Sequence, residues 1–149
     1  MAKTVLTSGA FDLIHYGHIR LLEEAKRLGG PGARLIVIIA RDETVQRLKG
    51  KKPTFPEDQR RALIDALEVV DEALLGYEAL DMATVIEKVK PDIIAVGYDQ
   101  DDIEEMARKV VEEKKLDIKI ERMSKFVKSD LNSSSSIKRK IVEDLRYAY

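Results

Sequence analysis

The sequence predicts a single-domain α/β fold built on a doubly wound, parallel sheet of five strands. Short apolar runs alternate with helical patterns about five times along the chain, which is typical of a parallel α/β sheet. One of these runs, RLIVIIA at 34–40, is apolar without alternation and so suits a central strand covered on both faces. The 149 residues, 44% of them hydrophobic, form one domain of ordinary size, 1–149.

The first half of the chain carries three predicted strands and three predicted helices. Ile19, Leu22 and Ala25 recur at helical spacing before the GGPG turn. A later helix opens with Pro56 followed by acidic residues. In order, the predicted elements are strand 3–8, helix 17–28, strand 34–40, helix 41–48, helix 56–67 and strand 69–76.

The second half continues the alternation and ends in a serine-led helix. Four serines at 133–136 supply hydroxyls that can cap the last helix. The predicted elements are helix 80–89, strand 92–97, helix 102–115, strand 116–121, loop 125–132 and helix 133–145. This order is Rossmann-like, and ligands of such sheets bind at the carboxyl ends of the strands. We therefore expect SGAFD, ARDE, GYDQ and the serine run to share one rim.

Composition excludes several classes of protein. The net charge of −1 gives no reason to expect nucleic acid or a membrane as a partner. No apolar run approaches the ~18 residues of a membrane span, and the N-terminus does not resemble a signal peptide. With no cysteine and two histidines, the chain has neither disulfides nor the ligands of a zinc site. We expect a cytoplasmic protein, and its single asparagine and three glutamines are typical of heat-adapted proteins.

Both histidines lie in SGAFDLIHYGHIR, at the start of the first helix. His15 and His18 are either a solvated residue and an ordinary helix residue, or donors to a phosphate. The phosphate interpretation draws on the free N–H groups and positive potential of a helix N-terminus. Gly17, which has no side chain, would let a phosphate approach the backbone closely.

GAFDLIHYGH resembles the G-x-F-D-x-x-H-x-G-H signature of the HxGH nucleotidyltransferases. The later SSSSIKRK is similar to the second signature of that family, with Asn132, Ser135 and Lys138 replacing its usual isoleucine, threonine and terminal base. The middle of the chain, together with KPDIIAVGYDQ, is most similar to the archaeal FAD synthases. Some of those enzymes carry cysteines before the last helix, and this chain has none.

The resemblance implies transfer of AMP from ATP to FMN, with release of pyrophosphate. Two alternatives stay open: a CTP-dependent enzyme acting on glycerol 3-phosphate or a similar phosphorylated alcohol, and a non-catalytic nucleotide-binding domain. Several aromatic residues lie on the predicted rim, which permits a flavin site without requiring one. The resemblance also implies a divalent metal, Mg²⁺, and a homodimer in which the last residues, 146–149, could take part.

The implied site has three parts. At the first signature, His18 donates to the α-phosphate and His15 contacts the α- or β-phosphate. Asp12 orients the turn, holds Mg²⁺ through water or has only a capping role. Lys52 and Arg60 neutralise substrate phosphate charge, whereas Arg61 points away. Elsewhere the nucleotide is bound by backbone groups of the first loop, by the turn after the fourth strand and by the serine run: Ser8, Gly9, Ala10, Phe11, Gly97, Asp99, Ser134, Ser135 and Lys138.

Overall fold

The computed structural model describes residues 2–77, 81–125 and 133–148, and it confirms the predicted fold class. The strands are β1 (Thr4–Gly9), β2 (Arg34–Ile39), β3 (Glu72–Leu75), β4 (Ile93–Val96) and β5 (Lys119–Arg122). The helices are α1 (Tyr16–Leu28), α2 (Asp42–Lys49), α3 (Glu57–Asp65), α4 (Met82–Val89), α5 (Asp101–Glu113) and α6 (Ser134–Ala148).

The strands form one parallel sheet in the order β3-β2-β1-β4-β5. The central pair β1 and β2 stays in register from Thr4–Arg34 to Gly9–Ile39. By contrast, the β1–β4 register covers only Val5–Ile93 and Leu6–Ile94. The strand order reverses between β1 and β4, so a crevice for a ligand opens beyond the carboxyl ends of these two strands.

Two apolar clusters cover the two faces of the sheet. Successive strand residues point to opposite faces, so Val5 and Leu35 belong to one cluster while Leu6 and Ile36 belong to the other. Helices α1 and α3 cover the first face with Leu22 and other apolar residues, and α4 and α5 cover the second. This two-sided burial explains why the central strands read as continuous apolar runs.

Several predicted boundaries move by two or three residues: α3 ends at Asp65 rather than at 67, α4 begins at Met82 rather than at 80, α5 ends at Glu113 rather than at 115, and β5 is Lys119–Arg122 rather than 116–121. Strand β3 begins at Glu72 rather than at residue 69, because the Asp71 carboxylate accepts the Leu35 N–H at 2.7 Å before the regular ladder starts. Helix α6 continues to Ala148 rather than ending at 145. The predicted loop 125–132 lies outside the described residues from 126 onward. Within the described ranges, no helix is long and apolar enough to cross a membrane.

Candidate active site

A cleft of about 890 Å³ opens at the carboxyl ends of the strands. Both histidines, the β1–α1 loop, the turn after β4 and the start of α6 contribute to its lining. The segments SGAFD, ARDE, GYDQ and the serine run all contribute residues to this lining, so the expectation that they share one rim is confirmed. Most of the predicted site residues line this cleft: Ser8, Gly9, Ala10, Phe11, Asp12, His15, His18, Gly97, Asp99, Ser134 and Ser135.

The β1–α1 loop is held in an unusual backbone conformation. Phe11 and Leu13 have φ values of 51° and 49°, in the left-handed region that non-glycine residues seldom adopt. The Phe11 ring is buried and packs on Gly9, where an added Cβ would lie 2.9 Å from the ring. Such backbone strain persists only where the surroundings enforce it, and it is commonest at functional sites.

The two histidines form a stacked pair at the N-terminus of α1. Their ring centroids lie 3.8 Å apart, and the His15 N–H donates to Nδ1 of His18 over 3.3 Å. Because Nδ1 of His18 accepts this bond, the ring proton resides on Nε2, which is then a donor for a ligand. Burial, followed by the charges of His15 and Lys49, lowers the pKa of His18 to about 3, against the opposing effect of Asp12. His18 is therefore a neutral donor at pH 7.

His15 lies in the same lining and precedes the helix as its N-cap residue. Burial lowers its pKa, and its buried Nδ1 has no hydrogen-bond partner within the part of the chain that the structure describes. A buried polar atom without a partner costs free energy that a bound ligand can recover. Both imidazoles are therefore mainly neutral near pH 7.

Asp12 ties the first loop to the segment before α3. Its carboxylate accepts the N–H groups of Thr54 at 2.7 Å and Phe55 at 2.9 Å. Burial raises the pKa of Asp12, but the N–H donors of Phe55 and Thr54 and the charge of Lys138 outweigh it and hold the pKa below its ordinary value. These two bonds are consistent with a role of Asp12 in orienting the turn, and both that role and its contact with Mg²⁺ stay predictions.

The two signatures meet at Asp12. The Ser134 hydroxyl donates to the Asp12 carbonyl at 2.6 Å, although the residues are 122 positions apart. Ser133 caps α6 by accepting the Ser136 N–H at 3.2 Å. One serine therefore caps the helix and another joins it to the first loop, while Ser135 lines the cleft and the Lys138 charge acts on Asp12.

The turn after β4 is joined to β1 by a residue that the sequence analysis did not assign. Gln100 accepts the Gly97 N–H at 2.8 Å and donates to the Ser8 carbonyl at 3.0 Å. An added Cβ at Gly97 would lie 3.1 Å from the Gln100 amide, so the glycine permits this approach. The amide thus replaces ladder bonds where β1 and β4 separate. In the sequence, the feature that could have identified Gln100 as a site residue is its position in the GYDQ turn, directly after Asp99.

Arg60 does not bind substrate, so that prediction is wrong. Its side chain is fully buried and donates to the carbonyls of Phe55, Ala10 and Ala40, at 2.7–2.9 Å, and to the Asp42 carboxylate at 2.7 Å. Because its N–H groups donate to these acceptors, the buried guanidinium stabilises the β1–α1 loop from the interior of the protein and cannot reach a phosphate in the cleft. Arg61 does point away, toward the Ala73 carbonyl on the sheet.

Among the lysines of the basic loop, Lys49 rather than Lys52 lines the cleft. Lys52 is exposed and lies outside that lining, so its role in binding a substrate phosphate stays a prediction. The charge of Lys49 acts directly on His18. The sequence analysis took these lysines as one basic stretch. It could not show that Lys49 is the last residue of α2 whereas Lys52 belongs to the loop that follows.

Comparisons with known proteins agree with this geometry. The profile of a family described as cytidylyltransferase-like matches residues 6–140. A protein named FAD synthase in Thermoplasma volcanium is 48% identical over 139 residues, which are 93% of this chain and 94% of that one. The Methanopyrus kandleri protein of the same name is 39% identical over 143 residues, covering 96% and 94% of the two chains.

A solved structure from Thermoplasma volcanium, described as a lipopolysaccharide core biosynthesis protein, has the same fold. It superposes with a TM-score of 0.75 at 44% identity, covering 85% of this chain and all of that one.

Proposed function

The chain belongs to the cytidylyltransferase-like family, and from that premise we propose that it is an FAD synthase, which transfers AMP from ATP to FMN. An oxygen of the FMN phosphate forms a bond to the α-phosphorus of ATP. The bond from that phosphorus to the β-phosphate bridge breaks, and pyrophosphate leaves. The alternatives based on CTP or on a non-catalytic domain are not favoured by the curated relatives, which carry the FAD synthase name.

The observation that carries this function is the neutral imidazole pair at the N-terminus of α1. A phosphate monoester has a second pKa of about 6 and is already anionic near pH 7, so the reaction needs no general base. The rate then depends on positioning several negative charges and on stabilising the charge that develops on the α-phosphate. His18, with Nδ1 occupied by the His15 N–H, presents Nε2 as a donor beside the charge of Lys49.

The remaining roles are part of the same proposal. His15 contacts the α- or β-phosphate, and Asp99 accepts from the ribose hydroxyls. Lys138 reaches the β- and γ-phosphates from the first turns of α6, helped by Ser134 and Ser135. Support for this comes from the hydrogen bond of the Ser134 hydroxyl to the Asp12 carbonyl in the β1–α1 loop. Through this bond the start of α6 lies beside the loop that leads to His15 and His18.

A divalent metal, Mg²⁺, is also a proposal. The described parts of the chain contain no group of three or more metal-ligating side chains. Mg²⁺ is commonly held by one or two carboxylates together with substrate phosphates, and a site with Asp12 nearby fits that pattern. When bound, the ion neutralises charge on the triphosphate.

We further propose a cytoplasmic homodimer with no nucleic-acid or membrane partner. Support for the dimer comes from α6, on which Ile141, Val142 and Leu145 are about half exposed. No other described helix or strand makes an extensive contact with α6. A lone 15-residue helix is marginal in water, so a second copy of the chain would supply the missing packing. Sedimentation equilibrium tests this, and a monomer at micromolar concentration contradicts it.

The proposed reaction is tested by crossing two nucleotides with two acceptors. Pyrophosphate release is measured with ATP or CTP, each combined with FMN or glycerol 3-phosphate, and FAD is identified as the product. We expect release with ATP and FMN. Activity with CTP and glycerol 3-phosphate alone would replace the proposal with the alternative, and no release in any combination would favour a non-catalytic domain.

A further inference from the structure

Strands β1 and β4 separate toward the cleft, although each of them stays paired with its outer neighbour. The β1–β2 register continues to Gly9, and the β4–β5 register continues to Val96. Between β1 and β4, however, the register ends at Leu6 and Ile94. The sheet is therefore split at its centre, and residues on both sides of the gap line the cleft.

Two side chains, rather than backbone hydrogen bonds, span this gap. The buried Thr7 hydroxyl donates to the Ala95 carbonyl at 2.9 Å. One residue further along β1, the Gln100 amide donates to the Ser8 carbonyl at 3.0 Å and accepts the Gly97 N–H at 2.8 Å. A primary amide carries a donor and an acceptor side by side, so it can bond to both backbone groups at once.

We propose that Gln100 is a positioning residue for the nucleotide, because its amide is a spacer that keeps the end of β1 apart from the turn after β4. The Ser8 carbonyl and the Gly97 N–H are an acceptor and a donor, and without the amide they could pair directly, as such groups do in a continuous parallel sheet. The inserted amide instead fixes the width of the crevice between the two segments. This inference rests on the proposed function, in which Asp99 accepts from the ribose hydroxyls.

The residue type at position 100 is not explained by the helix that follows it. Gln100 precedes α5 as its N-cap residue, a position at which Ser, Thr, Asp and Asn are preferred because their short side chains bond to the first N–H groups of a helix. The Gln100 side chain makes no such bond, and its amide is directed to the two sides of the gap instead. The longer side chain therefore serves the split in the sheet rather than the stability of α5.

Arg122, at the end of β5, holds the same turn from its other side. Its guanidinium donates to the Tyr98 carbonyl at 3.1 Å and to the Asp101 carboxylate at 2.5 Å. Because Gln100 bonds toward β1, the backbone is fixed on both sides of Asp99, whose exposed side chain lines the cleft. A carboxylate on a turn that is already fixed loses less conformational entropy when it binds a hydroxyl.

Gln100→Met tests the spacer, because methionine has a similar length but neither the donor nor the acceptor. Binding of ATP is measured by calorimetry, and binding of FMN by quenching of flavin fluorescence. We expect this variant to raise the Kd for ATP about tenfold or more and to leave the Kd for FMN within about twofold. Its thermal stability should change little, since the Ser8 and Gly97 groups can then pair with each other. Gln59→Met, at an exposed position of α3, is the matched control and should bind both substrates as the wild type does.

A second variant decides the question if Gln100→Met does not fold. Gln100→Asn keeps the amide on a side chain that is one methylene shorter, so it should fold and weaken ATP binding about threefold or more. If the wild type forms FAD while the folded variants bind ATP normally, or if ATP binding, FMN binding and thermal stability all fall together, the spacer role is wrong and the reaction stands. A wild type that neither binds ATP nor forms FAD overturns the proposed function itself, and the spacer role with it.

Discussion

The rings of His15 and His18 stack with their centroids 3.8 Å apart, while the backbone N–H of the first donates to Nδ1 of the second. One hydrogen bond therefore selects the tautomer of His18 and directs its remaining N–H group to a ligand. Because burial and neighbouring positive charge keep this ring neutral, the proposed function gives it the role of a neutral hydrogen-bond donor to a phosphate.

The lowered pKa of His18 predicts a loss of stability in mild acid. Because the folded pKa is about 3 and the ordinary value is 6.5, the unfolded chain binds more protons between these values, and stability falls as the pH drops below 6.5. Between pH 6.5 and 4.5 we expect a loss of up to about 2 kcal/mol. His18→Asn should lose less over this range, which urea unfolding at several pH values measures. Identical pH profiles for the two proteins would contradict the burial of a neutral His18.

Asp12→Ala should destabilise the protein and impair the site together. The change leaves the N–H groups of Thr54 and Phe55 without their acceptor, at a cost of about 2–3 kcal/mol. Asp58→Ala, at an exposed position in the first turn of α3, is the control and should change stability by less than about 0.5 kcal/mol. Urea midpoints compare the variants, and equal midpoints would show that Asp12 does not hold the loop.

Arg60→Met should cost about 3–5 kcal/mol, because it leaves three carbonyls and the Asp42 carboxylate without their donor. Its neighbour is the matched control. Arg61→Met removes a half-exposed side chain whose ion pair with Asp65 spans 4.0 Å, so we expect a loss below about 1 kcal/mol. Differential scanning calorimetry measures both changes. A stable Arg60→Met protein with a raised KM would restore the substrate-binding role.

Lys49→Gln and Lys52→Gln distinguish the lysine that lines the cleft from the one that lies outside it. Lys49 lines the cleft beside His18, so its loss should raise KM for a substrate about tenfold, since a charge-assisted bond is worth roughly 1.5–3 kcal/mol. Lys52, which lies outside the lining of the cleft, should have a smaller effect. Steady-state kinetics of FAD formation provides the comparison, and a larger effect at Lys52 would return the binding role to that residue.

The fold and the outline of the site could be predicted from the sequence because both depend on local patterns. Continuous apolar runs mark strands covered on both faces, and the two signatures lie where parallel topology brings them together. The bond from Ser134 to Asp12 follows that expectation. Element boundaries were less accurate, since pattern alone does not show where a side chain such as Asp71 replaces ladder bonds at a strand end or how far a helix such as α6 continues.

The rest depended on contacts that no local pattern contains. In the sequence Arg60 cannot be told from its charged neighbours on α3, and only the folded chain shows the carbonyls that surround it. Gln100 bridges two strands that are far apart in sequence. Lys49 and Lys52 are both lysines of one basic stretch of sequence. Only the structure shows that Lys49 is the last residue of α2 and that Lys52 lies beyond the end of this helix.

The rate of AMP transfer in two His18 variants tests the central claim most directly. Asn can accept the His15 N–H as Nδ1 does but lacks the Nε2 donor, whereas Gln can place an amide donor near the Nε2 position. At saturating ATP and FMN we expect His18→Asn to lose about 100-fold or more in turnover, with His18→Gln less affected and both variants folded. A folded His18→Asn protein that retains turnover within about threefold of the wild type would contradict a donor role for the histidine pair.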